Sequence, residues 1–111
     1  MKAVGVLGLI LLAFGCTKTP VDHHHQVAMK DFSFSPESLD VAVGDTVTWE
    51  NQGANPHTST SGEVGVPDGI WDSGVLSSGG SFMYVFTTAG NYHYYCQLHA
   101  SMGMKGVISA K

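Results

Sequence analysis

The chain has 111 residues, and its nine acidic side chains outweigh five basic ones, all lysines, for a formal net charge of −4. That balance argues against nucleic acid, whose binding needs clustered cations, and against polybasic adhesion to a membrane surface. One domain fits the length, and the only cysteines, Cys16 and Cys96, either pair or have separate jobs.

Residues 1–15 read as a signal peptide. Lys2 supplies the positive start, Ala3 to Leu12 an apolar run too short to span a bilayer, and Ala13-Phe14-Gly15 a small-residue cleavage region. The Gly15-Cys16 junction resembles a bacterial lipoprotein signal, in which the cysteine becomes the lipidated first residue, although Ala13 stands where Leu is usual. The expectation is an exported protein, periplasmic or on the cell surface, tethered to a membrane through Cys16. A disulfide would tie this end to the densest group of ligands in the chain, so a lipid on Cys16 and a metal on Cys96 is the better division. Residues 16–26 are polar, with Pro20 and the run His23-His24-His25, and are expected to form a flexible, solvated tether rather than a metal site.

From residue 27 to 111 short β-rich runs alternate with turn signals, and no segment has a helical period. Strands are expected at Val27 to Phe34, Ser38 to Val43, Thr46 to Asn51, His57 to Ser61, Ser81 to Thr87, Asn91 to Cys96 and Gly106 to Ala110. Gly44-Asp45, Gln52-Gly53, Ser78-Gly79-Gly80 and Ala89-Gly90 separate them. This pattern indicates an all-β fold, an antiparallel Greek-key β-sandwich. In the run ending at Cys96, alternation puts Tyr92, Tyr94 and Cys96 inward, and His93 and Tyr95 outward.

The chemistry concentrates near the C-terminus. Cys96 and His99 lie three residues apart at a strand end, and Met102 and Met104 follow in the same loop. Thiolate, imidazole and thioether from one loop can surround an ion if a fourth ligand arrives from elsewhere, and His57, whose entry is set by Pro56, is the candidate. Two imidazoles, one thiolate and a weak thioether constitute a type 1, or blue, copper site, a compromise that suits both Cu(I) and Cu(II). A structural zinc site would ask for a second Cys or more His nearby, and a Cys-His hydrolase for an acyl-binding elaboration that the chain lacks.

Gly90 to Val107, with its Cys-x2-His-x4-Met spacing, resembles the C-terminal copper loop of the cupredoxins in the plastocyanin, pseudoazurin and amicyanin branch. Trp49 to Thr58 resembles the segment carrying their first histidine, and Pro67 to Leu76 and Gly80 to Phe86 also read like members of that group. The resemblance implies a sandwich of eight strands, one more than the seven read from the pattern, with one copper ion held by His57, Cys96, His99 and an axial methionine. Met104 fits the family's frame, because x-Gly and an apolar strand follow it. Met102 fits only a shorter loop of the amicyanin kind and is the alternative ligand. Thr58 stands where the family often has Asn, an exchange that bears on a side-chain hydrogen bond tying the two ligand loops together.

The functional expectation is a monomeric one-electron carrier, not an enzyme, passing electrons between redox proteins such as cytochromes or copper and haem enzymes. His99, framed by apolar Ala54, Val66, Pro67, Ala100 and Met102, would be the exit, with Tyr95 as a second route. Glu63, Asp68 and Asp72 would orient a basic partner. The alternative is a periplasmic copper storage or delivery protein. A multicopper enzyme would need additional His clusters for further copper ions, and a binuclear centre a second Cys in the Cys96 loop, and neither is present.

Overall fold

The computed structural model describes residues 22–111; the leader, Cys16 and residues 16–21 of the expected tether lie outside them. Its strands follow from side-chain alternation. Along Thr46–Asn51 the side chains of Val47, Trp49 and Asn51 are buried while those between are half-buried, the period-2 signature of a strand with one face on a core.

Nine strands form among the described residues: β1 His24–Lys30, β2 Ser33–Ser35, β3 Ser38–Val41, β4 Thr46–Asn51, β5 Thr60–Glu63, β6 Val66–Asp72, β7 Ser81–Val85, β8 Gly90–Tyr95 and β9 Lys105–Ala110. A 3-10 turn, Ala100–Met102, interrupts the last connection. One sheet has the order β3-β9-β8-β5-β6 and the other β2-β1-β4-β7. Between them lies an apolar layer that includes Val27, Met29, Phe34, Val47, Trp49, Trp71, Phe86, Tyr94 and Ile108. The aromatic rings pack edge-on or tilted: Trp49 lies 5.4 Å from both Trp71 and Tyr94, and Phe34 lies 4.6 Å from Tyr94, geometries the ring quadrupoles favour.

The all-β sandwich expected from the sequence is therefore present, with differences in detail. It is not antiparallel throughout, since β1 runs parallel to β4 and β3 parallel to β9. The run Val27 to Phe34 is two strands, because Asp31 and Phe32 make a hairpin turn that pairs Lys30 with Ser33 and Met29 with Phe34. The strand expected from His57 starts later, at Thr60, and His57 is held by a single bridge to Leu76. Strand β6 was not expected. Its Pro67-Asp68-Gly69 centre reads as a turn, and Trp71 is its one buried side chain. Tyr95 is also corrected: it is only 3 % exposed, so alternation gave its face but not the cover over that face.

The tether is shorter than expected, because residues 24–26 belong to β1. His23 and His25 are fixed by their own partner, donating to Asp45 Oδ1 and Oδ2 at 2.8 Å each. Asp45 also accepts the Ala42 N–H at 3.0 Å. These bonds, the one from His25 foremost and then the one from His23, hold the Asp45 carboxyl far below the ordinary carboxylate range. A carboxylate whose folded pKa lies below its unfolded value of about 3.9 contributes stability above that pH and loses it as the pH falls toward the folded value. Asp45→Asn is therefore expected to lower stability at neutral pH and to flatten its decline below about pH 4. Urea midpoints measured from pH 7 to pH 2 check this; an unchanged acid limb would remove Asp45 from the account.

Candidate metal centre

Three connections meet at one end of the sandwich. The parallel register of β1 and β4 pairs Met29 with Asn51, which sets the turn Asp31-Phe32 beside the segment 52–57. Asn51, buried at the end of β4, organises that segment: its Nδ2 donates to the carbonyls of Asn55 at 2.8 Å and Leu76 at 3.0 Å, and its Oδ1 accepts the Gly53 N–H at 2.9 Å. The His57 backbone exchanges both hydrogen bonds with Leu76, at 3.0 and 2.8 Å. Its imidazole thus leaves a backbone fixed on both sides.

The second candidate segment runs from Cys96 to Met104. Its ends are joined where the Cys96 N–H donates to the Met104 carbonyl at 3.0 Å. Between them the 3-10 turn ends at Gly103, whose φ of +80° is a left-handed conformation that glycine adopts without a Cβ penalty. This reversal separates the two methionines. Met102 is 61 % exposed, whereas Met104 is fully buried and packs in the core.

His57, Cys96 and His99 converge. The two Nδ1 atoms are 3.2 Å apart, and Cys96 Sγ lies 3.8 Å from His57 Nδ1 and 3.6 Å from His99 Nδ1. Ligands sharing one tetrahedral ion through bonds of about 2.0–2.3 Å are separated by roughly 3.3–3.7 Å, so these spacings fit a common metal. The Cys96 sulfur also accepts the Thr58 N–H at 3.4 Å. Thr58 supplies the tie between the ligand segments that its replacement of Asn had put in question, its Oγ1 accepting the Gln97 N–H at 2.9 Å. His57 and Cys96 are fully buried and His99 is half-buried. Phe32 packs against the His99 ring with centroids 4.7 Å apart.

On the far side of the His57 ring, Nε2 donates to Asp31 Oδ1 at 2.8 Å. Asp31 also accepts the N–H groups of Ala54 at 2.9 Å and Asn55 at 3.2 Å. Its carboxyl lies below the ordinary range, chiefly through the bond from Ala54, with His57 and Asn55 adding to it against the opposing effect of burial. Neither Asp31 nor Asn51 was a sequence candidate. A turn acid 26 residues from its histidine leaves no spacing signal.

Other expected site features lie elsewhere. Val66 pairs with Glu63 and Pro67 with Gly62, on the part of the β5–β6 hairpin that leads away from Cys96, so they do not frame His99. Asp68 and Asp72 are occupied within the fold, accepting from Ser61 Oγ and Ile70 N–H, and from Thr60 Oγ1 and Gly74 N–H. A surface cavity of about 370 Å³, lined by Glu37, Glu63, His93 and Lys105 among others, contains none of the converging donors.

Residues 21–111 match the family model for copper binding proteins, plastocyanin/azurin family. The chain belongs to the plastocyanin/azurin family of copper-binding proteins. Among curated relatives, it is 36 % identical to the plastocyanin of Scenedesmus fuscus over 84 residues, covering 70 % of this chain and 86 % of that protein. Among solved structures, a purple cupredoxin from Nitrosopumilus maritimus superposes with a TM-score of 0.72 at 30 % identity, over 78 % of this chain and 99 % of the other. A copper-containing nitrite reductase from Thermus scotoductus superposes with a TM-score of 0.69 at 27 % identity, over 90 % of this chain but only 25 % of the enzyme. The cupredoxin resemblance read from the two ligand segments is thereby established for the family and the fold.

Proposed function

We propose that this cupredoxin is a one-electron carrier with a single type 1 copper ion. The observation that carries the reading is the convergence of His57 Nδ1, His99 Nδ1 and Cys96 Sγ within 3.2 to 3.8 Å of one another. These three residues would hold the ion, with Met104 as the weak axial ligand; the burial of Met104 and the bond its carbonyl accepts from the Cys96 N–H support it over exposed Met102. Bound there, copper would supply reversible Cu(II)/Cu(I) exchange. The chain's part is to keep the donors in one arrangement for both states, which the backbone bridge at His57 and the Thr58–Gln97 bond support. His99, half-buried beside exposed Met102, is the side chain through which electrons would leave. A docking partner would be another redox protein, met briefly at this end.

Titrating the full-length protein with Cu(II) while recording absorption and EPR spectra tests the reading; absence of an intense sulfur-to-copper band would refute it. Met104→Leu is expected to shift the spectrum and the reduction potential strongly and Met102→Leu only slightly. The reverse pattern would assign the axial position to Met102.

Storage or delivery of copper is the weaker reading. His57, Cys96 and Met104 are all fully buried, which suits retention rather than handover, and rapid loss of copper from the folded protein to a chelator would reverse that preference. Enzymatic turnover is not part of the proposal; the nitrite reductase likeness covers a quarter of that enzyme. Export, with lipidation of Cys16 as the anchor, completes the reading and rests on the leader sequence alone.

A further inference from the structure

We propose that Asp31 is a positioning residue for the metal centre: its carboxylate fixes which nitrogen His57 presents and, through its charge, biases the site toward the oxidised metal. The inference rests on the copper reading above and adds to it a group that lies outside the ligand set.

An ionised carboxylate only accepts hydrogen bonds. With Asp31 Oδ1 2.8 Å from His57 Nε2, the ring proton belongs on Nε2, and the Nδ1 lone pair is left facing Cys96 Sγ and His99 Nδ1. The ring is fully buried, so without Asp31 its Nε2–H would be a donor away from water. The carboxylate is 26 % exposed, which lets it stay charged while touching a buried ligand. A negative charge there favours the more positive metal state, by the sign of the Coulomb interaction.

Two further features fit this role. Asp31 is one half of the β1–β2 turn, held to the His57 segment by the N–H groups of Ala54 and Asn55 as well as by the ring. The space for its carboxylate is kept by a glycine. A Cβ on Gly53 would lie 2.3 Å from Asp31 Oδ1, the same oxygen that accepts from His57, and 2.8 Å from its Cγ. Because the nearest obstacle is the end of a side chain, Gly53→Ala should fold by displacing the carboxylate, weakening its hold on His57 without altering any charge.

The test compares the parent, Asp31→Asn, Asp31→Glu and Gly53→Ala as full-length proteins. Asp31→Asn keeps an acceptor oxygen but loses the charge. It is expected to lower Cu(II) affinity relative to Cu(I) by about tenfold, a rise in potential of about 59 mV for a one-electron couple. Gly53→Ala should shift the potential in the same direction, and Asp31→Glu should remain nearer the parent. Long-range proton–nitrogen NMR spectra of the metal-free proteins supply a readout that copper does not enter. The parent should show His57 as the Nε2–H form, and Asp31→Asn a mixture, since an amide can donate as well as accept. Folded Asp31→Asn and Gly53→Ala proteins with parental potentials and an unchanged tautomer would reduce Asp31 to a loop anchor and overturn the proposal. If no variant develops the sulfur-to-copper band, the copper reading fails on its own, and the tautomer spectra decide Asp31: an Nε2–H form lost in Asp31→Asn upholds its positioning role, and an unchanged one overturns it.

Discussion

Cys96→Ser is expected to abolish the intense visible absorption of the copper-loaded protein and to weaken copper binding by orders of magnitude, while the fold persists. The absorption arises from charge transfer between a thiolate and the metal, and a serine hydroxyl, far less acidic than a thiol, offers no comparable donor. The fold should tolerate the exchange because oxygen replaces sulfur with little change in shape. The Thr58 N–H that now reaches Cys96 Sγ at 3.4 Å can still donate to a hydroxyl, so the buried N–H is not left without an acceptor. Absorption, EPR and chelator competition on the two proteins, with circular dichroism as the control for folding, decide the matter. A Ser variant that keeps the band would remove Cys96 from the metal site and with it the one-electron reading.

The second large effect belongs to the core. Trp49→Ala is expected to destabilise the metal-free protein by about 3–5 kcal/mol, against a total that for domains of this kind is about 5–15 kcal/mol. Trp49 is fully buried. It packs against Trp71 and Tyr94 at 5.4 Å and Phe82 at 6.1 Å, and so joins strands of both sheets. No neighbouring side chain can fill the space left by an indole without disturbing this packing. Trp49 also precedes Asn51 by two residues on the same face of β4, so loosening here should reach the segment that carries His57. Urea unfolding followed by circular dichroism measures the loss; a change below about 1 kcal/mol would mean that the aromatic layer can close over the gap. Copper should restore part of the stability, since a ligand that binds only the folded state stabilises it by mass action.

The sequence by itself determined the sandwich and the converging donors. Alternation in Thr46–Asn51 and Gly90–Tyr95 sets which side chains face the core, and that rule needs no knowledge of a strand's neighbours. Cys96, His99 and the two methionines are legible because one loop holds them at short spacing, and His57 because Pro56 and the preceding turn mark its entry. What lies across the sheets was decided only by tertiary structure. Asp31 reaches His57 because β1 pairs in parallel with β4, placing the β1–β2 turn beside residues 53–55, and no local pattern encodes a partner on another strand. The burial of Tyr95, the strand β6 built around a single buried Trp71, and the capture of His23 and His25 by Asp45 have the same origin. In each case propensity and periodicity describe the residue's own strand, whereas the outcome depends on which distant segment covers it.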